Sequence, residues 1–326
     1  MYKTKIGSFI VSVLLLTVLA VPLLGAQPQR RMVTIASGWV VGVYYPLAGA
    51  MSRIAYSAKD LNIRATVEAT GASVANAQLV GAGEVDFALL QNDIAFYAYN
   101  GVTIPAFKGK PVKNMGGVFT IYPELVHIVA THASGVRSIK DLKGKRVVLG
   151  PPGSGTEQNA LQTLEVYGIK ESDLARSERL DAGAAADQLK EGHADVAFFT
   201  TGLGSAVIVD LFNSGKVVMV PIDPVPGEAL RKTYLFYTLE KIPANTYRGQ
   251  EYQALTPGVM AMMVARRDLP DDLVYKFTRA IFEDLAQFHS AHAAAKSLTL
   301  QTAQNGMPLP LHPGAERFYR EKGMVR

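Results

Sequence analysis

The chain has 326 residues, 48% hydrophobic and 19% charged, a balance that describes a folded globular protein and excludes a disordered one. Its formal net charge is +5, and setting aside the two lysines of the first 26 residues leaves +3. That is too mild to argue for a nucleic-acid partner, and no Lys/Arg run is interleaved with aromatics. Cysteine is absent, which rules out disulfides, a thiolate nucleophile, a Cys-based metal site and an acylated lipoprotein N-terminus.

Residues 1–26 read as a secretory signal peptide. Lys3 and Lys5 form a basic start, residues 9–24 are apolar, and Gly25-Ala26 offers small residues at a cleavage point. The alternative is an uncleaved anchor, but Ser12, Thr17 and Pro22 interrupt a run already short for a span. The mature protein is therefore expected to be exported, in the periplasm, and monomeric. Residues 32–36 predict a first strand, 37–42 a turn, and 44–56 a helix with Pro46 in its first turn. Residues 61–68 predict the next strand. The stretch TVEATGASVANAQLVGAGEVDFALLQND, 66–93, reads as strand, sharp turn, helix, turn and buried strand. A short helix follows over 94–99. Strands at 118–122 and 125–130 are separated by Pro123, and this strand–Pro–strand passage is the expected crossing between two lobes.

The second half repeats the style. Ser138 caps a short turn, 146–149 is a strand, Gly150 to Thr156 a turn, and 157–167 a helix. A helix at 183–191 and strands at 194–199 and 217–221 follow. The Pro-rich segment after 221 has little periodicity up to 258 and is expected to run over the surface. Residues 259–265 read as a strand and 273–289 as one long amphipathic helix, with a short helix near the C-terminus. Alternating strands and helices predict two α/β lobes with mainly parallel sheets.

In combination, SGWVVGVYYPLAGAMSRI, VEATGASVANAQLVGAGEVDFALLQND, DLKGKRVVLGPPGSGTE and LHPGAERFYREKG resemble the TAXI family, the extracytoplasmic solute receptors of TRAP transporters. The resemblance covers essentially the whole mature chain in order. It implies a type II periplasmic-binding-protein fold: two α/β lobes, a hinge and a ligand cleft between them. The expected division is a first lobe over 27–122, a second over 123–235, and a return to the first with C-terminal helices over 236–326. The resemblance also implies the function: capture of a small carboxylate, glutamate-like or otherwise, and delivery to TRAP membrane permease subunits, with no enzyme activity, cofactor or metal. Trp39-Val40-Val41 stands in a loop where the family often has a Thr or Ser, so this wall is more apolar and suits a carboxylate with a hydrophobic part equally. The alternatives are an exported enzyme acting on a carboxylate and a ligand-sensing adaptor for a membrane sensor kinase.

Candidate ligand contacts follow from strand ends and helix starts, where open α/β sheets bind ligands and helix N-termini attract anions. In the first turn they are Ser37, Trp39, Val40, Gly42 and Tyr44; the plain alternative is an ordinary turn with Ser37 capping the helix. In the second unit they are Thr70, Ser73 and Asn76, with Ser73 alternatively a helix cap, and Gln91, which with Asn92 and Asp93 stands at the C-terminal rim of a buried strand, where a plain turn is the alternative. GPPGSGT, 150–156, resembles a phosphate loop but lacks its Lys and is followed by Glu157, which argues against a nucleotide. Ser154, Gly155 and Thr156 remain as donors for a carboxylate on the opposite wall. Tyr122 and Glu124 flank the crossing, where Glu124 accepts from a ligand ammonium or forms a hinge salt bridge. Thr200, Thr201 and Gly202 end a strand facing the same cleft. His289 and His292 are three apart but read as solvated rather than metal-binding, and His127 reads as a satisfied core histidine.

Overall fold

A computed structural model describes residues 30–324. The expected signal peptide lies outside the described residues. The first half runs β1 (Arg31–Ala36), α1 (Tyr44–Ser57), β2 (Ile63–Glu68), α2 (Ser73–Ala82), β3 (Phe87–Gln91), α3 (Asn92–Asn100) and β4 (Met115–Thr131). Then come β5 (Arg146–Val148), α4 (Gly155–Val166), β6 (Arg176–Glu178), α5 (Ala182–Glu191), β7 (Val196–Thr201), α6 (Ala206–Asn213) and β8 (Val217–Met219). The chain finishes with α7 (Pro224–Thr233), β9 (Thr238–Ile242), β10 (Ala254–Arg266), α8 (Asp271–Glu283), α9 (Leu285–Ser290) and α10 (Pro313–Glu321).

The strand order is β2-β1-β3-β10-β4-β7-β5-β6, with β8 on β4 and β9 on β10. Two long strands make this one sheet out of two lobes. The N-terminal part of β4 pairs with the C-terminal part of β10, which also pairs with β3 in the first lobe. The rest of β4 pairs with β7 and β8, and the start of β10 with β9. The pairings that build each lobe outward, β1 with β2 and β3, and β5 with β6 and β7, are parallel. Every pairing made by β4 or β10 is antiparallel. The sheet is therefore mixed rather than mainly parallel, because two crossing strands run against the strands they join.

Each lobe covers both faces of its strands with apolar side chains. In the first, Phe87, Leu47, Phe277 and Phe318 fill one face and Val80, Leu90, Ile94 and Phe107 the other. In the second, Phe199, Leu189 and Phe212 oppose Phe198, Leu164 and Ile139. Ile242, Tyr247 and Ala254 pack in the second lobe's core, so we place the return to the first lobe along β10 rather than at residue 236.

Pro123 does not divide the crossing into two strands. β4 continues through it for 17 residues, with Pro123 opposite Met260. A proline can donate no ladder hydrogen bond. Here the register shifts between Met260 and Met262, and the Met260 N–H turns to the side-chain oxygen of Asn92 at 3.0 Å. The crossing is thus a locally broken ladder inside continuous chain, which is where a hinge bends most easily. The segment after residue 221 also differs from expectation. It forms α7, with Pro224 at a position where the missing N–H costs nothing, and then β9. The helix expected over 273–289 is two helices. Asp284 leaves helical geometry at φ −124°, ψ 48° and accepts from the Gln287 N–H at 3.2 Å, capping α9.

Candidate functional site

The 66–93 unit folds as strand, helix and strand, and it meets the second lobe directly. The loop before α2 places Ala72 at φ 74°, ψ −140°, an outlier for a residue with a Cβ. The two N–H groups after Ser73, on Val74 and Ala75, both donate to the Gly153 carbonyl of the other lobe at 3.1 Å. Trp39, from the first lobe, packs against the core of the second. The Ser205 hydroxyl approaches the Val41 carbonyl at 3.5 Å. The lobes are closed on one another.

Between them lies a small cavity lined by Gly38, Trp39, Gly42, Val43, Tyr44, Ala72, Ser73, Gln91, Glu124, Gly155, Thr156, Thr200 and Thr201. Three helices begin on its wall: α1 at Tyr44, α2 at Ser73 and α4 at Gly155. The first N–H groups of a helix have no intrahelical acceptor, and the dipole makes that end mildly positive. At α4 the Ser154 hydroxyl takes the Glu157 N–H at 3.1 Å, leaving the turn at Gly155 and Thr156 facing the cavity. At α2 the Gly153 carbonyl has taken two N–H groups, so that helix start offers the cavity mainly Ser73 itself. The cavity is small, so the closed form suits a small polar group.

Glu124 is the one ionisable carboxyl or base of the lining, and it is 3% exposed. Tyr44 donates to its Oε2 at 2.7 Å, and Tyr122 approaches Oε1 at a long 3.4 Å. Burial pushes its carboxyl up to about 8; the Tyr44 hydrogen bond lowers it and the nearby Asp93 raises it. Burial likewise pushes both tyrosines well above the usual phenol range, so they stay donors. Among the described residues no cation partners Glu124, which therefore forms no hinge salt bridge with them. Gln91 is 2% exposed, its Oε1 has no partner among the described residues, and its amide lies against the Gly155 backbone across the cleft. The Trp39 indole N–H is likewise buried without a partner among them.

The structure thus brings Trp39, Gly42, Tyr44, Ser73, Gln91, Glu124, Gly155, Thr156 and Thr200 of the sequence candidates onto one cavity. The others serve the scaffold. The Ser37 hydroxyl donates to Glu68 O at 2.6 Å and caps nothing. The Asn76 side-chain nitrogen donates to Ser37 O and Leu89 O, each at 2.6 Å, tying two strand ends together. Thr70 donates to the Asn76 carboxamide oxygen at 2.6 Å. Ser154 is the cap of α4 and donates to Pro151 O. Val40 points outward at 62% exposure. Tyr122 reaches the site only through Glu124, and Gly202 lies against the Tyr122 ring and Ala294, outside the cavity. Ser73 caps no helix; its hydroxyl accepts from the Gln91 N–H at 3.1 Å. His127 is a satisfied core residue, between Leu125 O and the Tyr247 hydroxyl, while His289 and His292 bond to backbone.

Thr201, beside Thr200 at the same strand end, lines the cavity as well; Gly38, Val43 and Ala72 also line it and are not legible as candidates. Their only signal is position beside residues that are. Asn159, Tyr237 and Gln162 form a buried polar group behind Thr200. Their signal is weak: Asn159, Gln162 and Thr163 make a polar stripe at helical spacing along α4, which reads as solvent-facing until the second layer is seen.

A closed cleft between two α/β lobes, joined by two continuous strands, is the two-lobe periplasmic-binding-protein fold. Solved structures share it. PhnD1 from Prochlorococcus marinus, in complex with methylphosphonate, superimposes with a TM-score of 0.59 over 92% of this chain and 100% of its own, at 10% identity. The periplasmic binding protein BugD gives 0.56 over 90% and 96%, at 14% identity. The binding protein component of an ABC phosphonate transporter from Pseudomonas aeruginosa gives 0.54 over 81% and 79%, at 13% identity. Identities this low carry the fold alone. Residues 35–323 match the NMT1-like family, and the chain belongs to it.

Proposed function

We propose that this protein is an extracytoplasmic solute-binding receptor that closes on a small carboxylate and hands it to a TRAP-type membrane permease, with no chemistry of its own. The observation that carries this reading is the cavity where α1, α2 and α4 begin, lined among the described residues by the hydroxyl-bearing Tyr44, Ser73, Thr156, Thr200 and Thr201, by Glu124 and by no Lys or Arg. Oriented dipoles of that kind hold a singly charged carboxylate without a cationic side chain. The similar structures are described as binding phosphonate or as periplasmic binding proteins, which supports capture and delivery as the role. The site favours a carboxylate over a phosphonate: with no cation in the described lining, a dianion would be poorly compensated.

Ligand contacts are assigned to the α4 start at Gly155 and Thr156, to Ser73, and to Tyr44, Thr200 and the Gln91 amide. Glu124 then faces either a ligand ammonium, as in a glutamate-like amino acid, or, protonated, an oxygen of the ligand. Trp39 supplies the apolar wall for any hydrocarbon part. The test is a thermal-shift panel of amino acids, dicarboxylates, oxo acids and aromatic acids, with methylphosphonate and an alkanesulfonate as comparators. A ligand at a hundred times its Kd adds about 2.7 kcal/mol to native stability, a rise in Tm of roughly 5 °C for a chain of this size. A shift with a carboxylate and none with the comparators is expected. A shift confined to the comparators overturns the reading.

A further inference from the structure

Asp93 does not line the cavity, yet it is fully buried where the lobes meet. It stands in the first turn of α3, in the first lobe, and its Oδ2 accepts from the Asn159 side chain of α4, in the second, at 3.1 Å. Asn159 continues the chain of contacts. Its nitrogen donates to the Tyr237 hydroxyl at 2.6 Å, and its oxygen accepts from the Thr200 hydroxyl at 2.9 Å. The Thr200 N–H donates to the Thr156 hydroxyl at 3.1 Å, and Thr156 and Thr200 line the cavity. Tyr237 donates onward to Gln162 at 2.7 Å. A polar network therefore runs from the ligand's wall to one carboxyl of the opposite lobe, and Asp93–Asn159 is the link that bridges them.

The first N–H groups of α3, on Asp93 and Ile94, and the Asn159 amide favour the charged form of that carboxyl, and its burial outweighs them in favour of the neutral acid. Its Oδ1 is buried with no hydrogen-bond partner among the described residues. The titratable groups facing it are Glu124 from β4, Tyr97 from its own helix and Tyr237 from the segment before β9, and none of the groups that perturb it is a cation. An unpaired carboxylate costs several kcal/mol to take from water into such a place, whereas a carboxylic acid does not carry that penalty. Parting the lobes would separate Asp93 from Asn159 and return it to water.

We propose that Asp93 is a proton-linked latch: closing of the lobes docks its carboxyl on Asn159 and takes up a proton, so the closed form loses favour as the solution turns alkaline. Asp93 is a positioning residue, acting on the ligand through Asn159, Thr200 and Thr156. Burial pushes it from 3.8 up to about 7, which agrees in direction. A group whose closed-state pKa is raised favours closure fully below its value in water, and that contribution is lost as pH rises through the closed-state value, here between about 4 and about 7. The proposal rests on the part of the functional reading that has the lobes open and close, and it is independent of which ligand binds.

Trp39 provides the readout. It is the sole tryptophan of the chain, and it sits on one lobe against the core of the other. Selective tryptophan emission of the full, ligand-free protein is followed from about pH 4 to about pH 9, with the radius of gyration measured alongside by X-ray scattering. The wild type is expected to shift to longer wavelength and expand as pH rises from about 4 to about 7, with its midpoint inside that window. Asp93→Asn keeps an acceptor for Asn159 and carries no titrating proton, so it loses that component and retains at most the one set by Glu124, which is lost between 4.5 and about 8. Glu124→Gln keeps the component between about 4 and about 7. Should Asp93→Asn fail to unfold cooperatively, Asn159→Ala serves instead and moves opening to lower pH. A wild type with no transition, or an Asp93→Asn protein with the wild-type midpoint, overturns the latch. Because no ligand is present, that failure is distinct from a failure of the carboxylate reading.

Discussion

Replacing Gly155 by alanine separates closure from folding. A Cβ on Gly155 would overlap the Gln91 Oε1 and Cδ and lie 2.8 Å from Nε2. Gln91 is buried and belongs to the other lobe, so the clash exists only when the cleft is shut. The amide has two ways out. It can push the lobes apart, or it can swing into the cavity and occupy the ligand's space. Either route weakens binding. Overpacking of this kind costs about 1–3 kcal/mol, which corresponds to roughly a 5- to 150-fold rise in Kd. The open protein has no such clash. Gly155 is the first residue of α4 with no left-handed backbone, so alanine there is expected to stabilise the ligand-free protein by about 0.4–1 kcal/mol. Calorimetric titration with the carboxylate found in the panel, beside thermal unfolding of the ligand-free protein, measures both. In a Gln91→Ala background the same change should cost no further affinity, because the clashing amide is gone. Unchanged affinity in Gly155→Ala, or a Tm that falls together with affinity, refutes the reasoning.

Other outcomes follow from the same contacts. Asn76→Ala removes the amide that ties the Ser37 and Leu89 carbonyls together in a buried place, leaves Ser37 O the Thr70 hydroxyl at 3.2 Å, and should cost about 1–3 kcal/mol in urea unfolding, although Asn76 never meets the ligand. Glu124→Gln discriminates between ligand classes. It should weaken an amino acid by roughly tenfold or more, through loss of the ammonium's partner, and leave a plain carboxylic acid within about twofold; calorimetry with one ligand of each class reads the difference. His127 is held neutral, because burial lowers it from 6.5 to about 4. Its contribution to stability is complete above 6.5 and is lost as pH falls toward about 4, so the urea midpoint should drop over that window and drop less in His127→Gln.

The amphipathic and alternating parts of the chain are legible in the sequence. The 66–93 unit, the glycine stops at Gly83 and Gly101 and the two-lobe division all follow from local pattern. Elements that depend on a partner were not. β6 is three residues long and exists because β5 offers it an edge. β9 likewise lies on β10, and α7 hides behind two prolines. In the site, residue type alone could not separate a ligand contact from a structural tie. Ser37, Thr70, Asn76 and Ser154 have the hydroxyls and amides a carboxylate would want, and all four are engaged by carbonyls, caps or each other. Ser73 and Thr156 have the same chemistry and do reach the cavity. The difference lies in which side of a strand end each faces, and that is fixed by the packing of the second layer. The Gly153 carbonyl on the α2 N-terminus is the sharpest instance: a helix start that reads as an anion site is largely filled by the other lobe's backbone.

The most direct test of the central claim is native mass spectrometry of the protein as purified. The account predicts one small-molecule adduct per chain, released on mild activation and fragmenting with loss of carbon dioxide, and absent or much reduced in Gly155→Ala. An adduct identified as a phosphonate or sulfonate, or one that persists undiminished in Gly155→Ala, contradicts it.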